Sequence, residues 1–286
     1  MTFDTSQFDT VTVEDRGDGV ALLWLDRPDR GNAFTFRMQG ELHQALAELD
    51  ASEDVRVIVV TGRGRFFSTG ADLEAGGSTF AQTAEETARL RETMALRPRP
   101  WNLATPVIGA LNGAAVGLGL TLTLQWDIRV FAEEAKYGFI FPKRGLTPEA
   151  GSAWFLPRLV GLSRATELLL TGRFFSGQEA AEIGLAAKSV PADRVLDVAL
   201  DLAREISWNC APTSVALVKE LLREVTPLTD VEQAWSRDWE VFRWIGREPD
   251  AAEGVRAFLE KDAPSWSGSK HAEPPAPSDR PWESPE

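Results

Sequence analysis

From Pro100 to Trp126 the chain carries no charged residue, and this stretch constrains everything around it. It is long enough to cross a bilayer, which takes about 20 apolar residues in one helix. Pro106, Asn112 and four glycines interrupt it, however, which suits a membrane helix poorly. A buried strand over Pro106–Leu111, a turn, and a glycine-rich helix start account for it better. The expected fold is therefore a globular one with a sheet covered on both faces.

The flanking sequence agrees. Val11–Glu14 and Val20–Leu25 read as a hairpin across the Gly17-Asp18-Gly19 turn. Met38, Leu42, Ala45, Leu46 and Leu49 repeat at helical spacing, and Val55–Val60 is again an apolar run, broken only by Arg56. A further strand is expected near Ile128–Ala132. From Pro148 helices dominate, with Val195, Val198, Ala199, Leu202 and Ile206 forming one apolar stripe, Leu217 and Leu221 suggesting another, and Ala251–Lys261 the last. The class is α/β. The expected organisation is an α/β core over 1–200, a C-terminal helical subdomain over 201–262, and a tail over 263–286. The tail is rich in Pro, Ser and Glu with no apolar period, so by composition it is expected to be disordered.

Charge and composition exclude several functions. A net charge of −13 with a pI near 4.8 leaves no basic footprint for nucleic acid. Cys210 alone cannot form an internal disulfide, and with only His43 and His271 beside it no structural zinc or other metal set is expected. Met1–Thr10 has neither the basic nor the apolar region of a targeting peptide, and a reducing, cytoplasmic compartment fits best.

Two segments carry the chemistry. Gly64–Leu73 follows a buried strand and places small residues at 68 to 71, where backbone can approach a ligand. Asn112–Leu120 follows the next strand, and a helix beginning near Gly117 would present unpaired N–H groups. Two such elements facing each other give two amide donors, which is what an oxyanion hole requires.

The run Leu25-Asp26-Arg27-Pro28-Asp29-Arg30-Gly31-Asn32-Ala33-Phe34, then Gly70-Ala71-Asp72-Leu73, then Asn112-Gly113 to Gly119, resembles the crotonase (enoyl-CoA hydratase/isomerase) superfamily in order and spacing. The resemblance spans about residues 10–262 and includes Leu156–Gly161 and the segment from Glu253 to Lys261. It implies a crotonase-type spiral of ββα units, a homotrimer or dimer of trimers, and an acyl-CoA substrate as the small-molecule partner. It further implies a coenzyme A site between the 27–34 and 70–74 loops, and no cofactor beyond the coenzyme A of the substrate. The oxyanion amides fall on Ala71 and Leu118. Arg27, Arg30, Ala33, Gly70, Asp72, Leu73, Gly117 and Phe141 are the candidate substrate contacts.

Two departures from the family pattern bear on the reaction. The positions of the two glutamates of family hydratases are Thr121 and Phe141 here, and neither side chain can carry a proton at neutral pH. Glu149 lies where the Δ3,Δ2-enoyl-CoA isomerase branch places its acid, which implies double-bond isomerisation with one carboxylate as the proton shuttle. Thr147-Pro148-Glu149 is also an ordinary helix start, with a threonine cap, proline at the first position and an acid in the first turn. Such a position would lower the carboxyl pKa, and Phe139, Phe141 and Trp154 are the apolar neighbours expected to oppose that.

Asp72 reads chiefly as a loop brace. Arg27 and Arg30 fit a phosphate contact or a solvated side chain equally well. Glu74 stands where relatives carry a lysine near the coenzyme A phosphates. Lys143 and Arg144 read as a solvated pair, and Trp235, Trp239, Phe242 and Trp244 as a packed or subunit-facing stripe. The stretch from Gly76 to Leu90 is expected to form a flap. The alternatives are an enoyl-CoA hydratase of fatty-acid β-oxidation and a catalytically silent acyl-CoA binder.

Overall fold

The computed structural model describes residues 7–81, 83, 85, 98–274 and 276. Part of the stretch expected to form a flap lies outside the described residues, as do 275 and 277–286. In chain order the elements are β1 (Val11–Asp15), β2 (Val20–Leu25), α1 (Phe36–Ala51), β3 (Val57–Gly62), β4 (Val107–Leu111), β5 (Ala115–Val116), α2 (Leu118–Thr121), β6 (Ile128–Ala132) and β7 (Tyr137–Gly138). They continue as α3 (Ser152–Val160), α4 (Leu162–Thr171), β8 (Phe174–Phe175), α5 (Gly177–Glu182), β9 (Lys188–Val190), α6 (Val195–Asn209), α7 (Pro212–Val225), α8 (Val231–Ile245) and α9 (Pro249–Glu260).

A six-stranded sheet runs in the order β1-β2-β3-β4-β6-β9, antiparallel at the β1–β2 hairpin and parallel from there on. β3 and β4 are buried at every residue, which is why they read as unbroken apolar runs. Alternation still sorts their side chains: Ile58 and Val60 face one core, with Leu23 and α1, while Val57 and Val59 face the other. That second core is closed by Val195, Ala199, Leu200 and Ala203 of α6. The boundary expected at residue 200 therefore falls inside a helix that belongs to the sheet. The uncharged stretch is divided among β4, β5 and α2, and among the described residues no helix is long and apolar enough to cross a membrane.

A second, smaller layer pairs β5 with β7 and β7 with β8. Isolated bridges Phe34–Ala71 and Ser68–Ala115 extend it across the loops expected to carry the chemistry.

The tail expectation is corrected for residues 263–274. Composition predicts disorder because little apolar surface can be buried there, but polar groups dock the segment instead. Ser267 N and Gly268 N donate to the two oxygens of Asp250 (2.8 and 3.0 Å), and Trp266 Nε1 donates to Trp208 O (3.2 Å). Lys270 is buried at the end of α1. Its Nζ donates to Ser52 O, Val55 O and Thr105 Oγ1, each at 2.7 Å. Each partner is remote in sequence, so composition could not reveal it.

His43 is buried, with Nδ1 2.8 Å from Gln39 O. Trp235, Trp239 and Phe242 are exposed along α8, the last two stacked on each other.

Candidate active site

The loop after β3 is held by short polar side chains. Asn112 receives Gly62 N on Oδ1 (3.2 Å) and donates through Nδ2 to Gly62 O and Gly64 O (2.9 and 3.1 Å). Asn32, fully buried at φ +53°, donates to Arg63 O and Phe66 O (3.0 and 2.8 Å) and accepts from Arg27 N (2.9 Å). Asparagine tolerates this left-handed backbone because its short amide bonds locally. Ser68 Oγ donates to Asn32 O (2.8 Å) and accepts from Gly70 N (3.3 Å).

These braces aim two amides. Phe34 N donates to Gly70 O (2.7 Å) and Asp72 N to Phe34 O (2.9 Å), so the N–H of Ala71 between them points away from the Phe34 strand. Gly70, at φ +96°, presses against the other element: a Cβ there would stand 2.7 Å from Val116 O and 3.9 Å from Leu118 N. Leu118 opens α2, so its N–H has no partner within the helix. Among the described residues neither the Ala71 nor the Leu118 amide donates to a protein acceptor. α2 has only four residues, so the donors themselves, rather than a long helix dipole, supply the field.

A cleft of about 350 Å³ brings Ala71, Leu118 and Glu149 together, walled by Phe34, Phe36 and Phe80 and edged by Thr35, Gln39, Asp72, Glu74, Ala75 and Thr79. The expected helix start at Thr147 is not formed: α3 begins at Ser152, preceded by Gly151 at φ +72° and Ala150 at φ +53°. Glu149 thus stands outside the helix. Its carbonyl accepts from Ser152 N and Oγ (2.9 and 2.7 Å), and Gln125 Nε2 donates to the next carbonyl, Ala150 O (2.8 Å). Its carboxylate has no donor or cation partner among the described residues. Solvent reaches it through the cleft mouth, yet enough protein surrounds it that burial raises its pKa above the usual carboxyl range. The apolar cover expected from Phe139, Phe141 and Trp154 comes instead from Phe34, Phe36, Phe80 and Leu118. Phe139 and Phe141 are in the core, and Trp154 lines a separate cavity.

The other candidates separate into groups. Phe141 and Thr121 are buried outside the cleft lining, the latter with Oγ1 on Leu118 O (3.3 Å). Arg27 braces rather than projects: Nη2 lies 3.0 Å from Asp72 Oδ2 and Nη1 donates to Ala33 O, tying the 27–34 loop to the 70–74 loop. Desolvation acts to raise the Asp72 pKa, but the Glu74 amide and Arg27 outweigh it and hold the carboxyl below its usual value. Arg30 meets Glu74 at 3.4 Å with both exposed, a pair worth little in water. Leu73 is 54% exposed, Ala33 is buried, and Gly117 (φ +53°, ψ −125°) makes the turn into α2. Lys143 and Arg144 are exposed, as expected. Sequence reading missed Asn32, Ser68, Gln125 and Ser152 as braces. Only Asn32, in a Gly-Asn turn, left a local signal.

The family described as enoyl-CoA hydratase/isomerase matches residues 15–269. This chain belongs to that family. An enoyl-CoA hydratase of Alternaria alternata is 36% identical over 255 residues, 89% of this chain and 85% of the relative. The 1,2-epoxyphenylacetyl-CoA isomerase of Escherichia coli K12 is 35% identical over 254 residues, 87% and 95% of the two chains. A solved structure from Mycobacterium abscessus, named as a probable enoyl-CoA hydratase/isomerase, superposes with a TM-score of 0.82 at 40% identity, covering 91% of this chain and 99% of the other. The architecture is accordingly the crotonase fold, with helices at its C-terminal end.

Proposed function

We propose that this enzyme moves the double bond of a 3-enoyl-CoA into conjugation with the thioester, with Glu149 as the single proton shuttle. The observation that carries the reading is one unpaired carboxylate in a cleft with two undonated amides, while the hydratase acid positions hold Thr121 and Phe141. The thioester oxygen accepts from the Ala71 and Leu118 amides, which draws electron density from C2. Glu149 takes a proton from C2, the dienolate oxygen is held by the amides, and Glu149 returns the proton at C4. The raised carboxyl pKa suits a group that must hold the proton between two transfers. The reaction needs nothing beyond the coenzyme A of the substrate. We assign the enzyme to the cytoplasm as a homotrimer or dimer of trimers, with the exposed α8 stripe facing a second copy.

The test is conjugated-enoyl absorbance during incubation with a medium-chain trans-3-enoyl-CoA, run beside Glu149→Gln. Turnover lost in the variant with binding retained supports the shuttle. Water addition to crotonyl-CoA by the unaltered protein would favour the hydratase instead, and binding without turnover in either protein the silent binder.

A further inference from the structure

The 149–151 turn has a second side. Behind it lies a separate cavity of about 670 Å³, within the size range of small-molecule sites. Trp101, Trp126, Trp154 and Phe155 wall it, with ring centroids 5.6 Å apart for Trp101–Phe155 and 4.8 Å for Trp154–Phe155. Among the described residues Arg129, Arg158, Lys219 and Arg223 also line it, against Asp127 as the single acid. In a chain of net charge −13 this is a local reversal of sign. The substrate cleft shows the opposite: among the described residues Asp72, Glu74 and Glu149 line it with no lysine or arginine.

We infer that this cavity is a second binding site, for a small anion with a planar aromatic body such as an aryl carboxylate, and that its occupant acts on Glu149. The four cations are not equivalent. Lys219 is taken by Asp127 at 2.8 Å, and buried Arg129 donates to the carbonyls of Leu185, Thr123 and Trp126. They set the potential rather than meet a ligand. Arg158 lies over the Trp154 ring, 3.9 Å from its centroid, and is exposed with no acid partner among the described residues. A guanidinium stacked this way keeps edge donors for a carboxylate while the aromatic walls take the ring. Arg223 donates to Asn102 Oδ1 (2.6 Å) and pairs with Glu220 at 3.8 Å, but both members of that pair are open to solvent, so the contact is weak and leaves the guanidinium able to meet a ligand.

Coupling follows from two residues shared with the catalytic loop. Gln125 and Gly151 line the cavity, and Gln125 donates to Ala150 O, one residue from the catalytic carboxylate. A ligand resting on either shifts the peptide that positions Glu149. Binding does not depend on the proposed reaction; the effect on turnover does.

The experiment is calorimetric titration of the full-length protein with 2-naphthoate, repeated in saturating octanoyl-CoA. The expected result is one-to-one binding that octanoyl-CoA leaves in place, that survives in Glu149→Gln, and that weakens roughly tenfold or more in Arg158→Gln and Arg223→Gln. Basal turnover of both arginine variants should match the unaltered enzyme, which shows that they fold. No saturable binding, displacement by octanoyl-CoA, or unchanged affinity in both arginine variants would overturn the site. Unchanged turnover at saturating naphthoate would overturn the coupling. A protein inert toward every enoyl-CoA that still binds naphthoate would remove the proposed reaction and support the site.

Discussion

Lys270 is buried and Glu149 stands at the solvent-open mouth of a cleft, and the fold treats these two charged groups in opposite ways. Lys270 is surrounded by acceptors, two main-chain carbonyls and a threonine hydroxyl each at 2.7 Å, so its charge is used up in holding the end of α1. Glu149 is held through backbone hydrogen bonds, and among the described residues its carboxylate has no donor in the cleft. A satisfied buried charge is structural glue; a carboxylate left unpaired at a cleft is a candidate reagent.

The largest expected effect tests the reagent. Glu149→Gln keeps the shape of the side chain and removes its proton acceptor, so turnover should fall by about 10²- to 10⁴-fold with acyl-CoA binding retained, read by steady-state kinetics and titration. Leu118→Pro deletes one amide at the first helical position, where proline fits. It should reduce kcat by about 10²- to 10³-fold. If Lys270 is glue, Lys270→Met should leave turnover per folded molecule intact and cost about 1–3 kcal/mol in denaturant unfolding, because the carbonyls it satisfies are stranded.

Two smaller effects separate the residues by pH. Burial lowers the Lys270 pKa to about 8 against an ordinary 10.5, although Asp50 and Glu53 act to raise it. Between those values the unfolded chain binds more protons than the folded one, so this contribution to stability rises with pH and is lost as pH falls toward 8. Lys270→Met should flatten that slope in thermal unfolding between pH 8 and 10.5. Glu149 runs the other way. Its folded pKa lies above the usual 4.5, so its contribution is fully present below that value and is lost as pH rises through the folded pKa. Glu149→Gln should therefore show a higher Tm than the parent at neutral pH, and the difference should vanish near pH 4. The kcat/KM profile of the parent should carry an acidic limb displaced above 4.5.

The sheet was legible because both-face burial leaves an unmistakable record: Val57–Gly62 and Val107–Leu111 are apolar at nearly every position. The candidate site was legible where it rests on glycine, since Gly70 and Gly117 adopt backbone that side chains disfavour. Gln125, Ser68 and Lys270 were not, because what makes them matter is a carbonyl brought near by the fold. The environment of Glu149 was misread for a related reason. Thr147-Pro148-Glu149 satisfies every local rule for a helix start, yet the left-handed residues at 150 and 151 delay the helix to Ser152.

The docked segment also sets an order of events during synthesis. The carbonyl of Leu49 and the ammonium of Lys270 are separated by 221 residues, so the α1 end is made long before the group that completes it. At about 5–20 residues per second, a nascent chain spends on the order of ten seconds or more with those carbonyls turned to water. The core around α1 can assemble on the ribosome, but its last seam closes only after the C-terminal helices have been made.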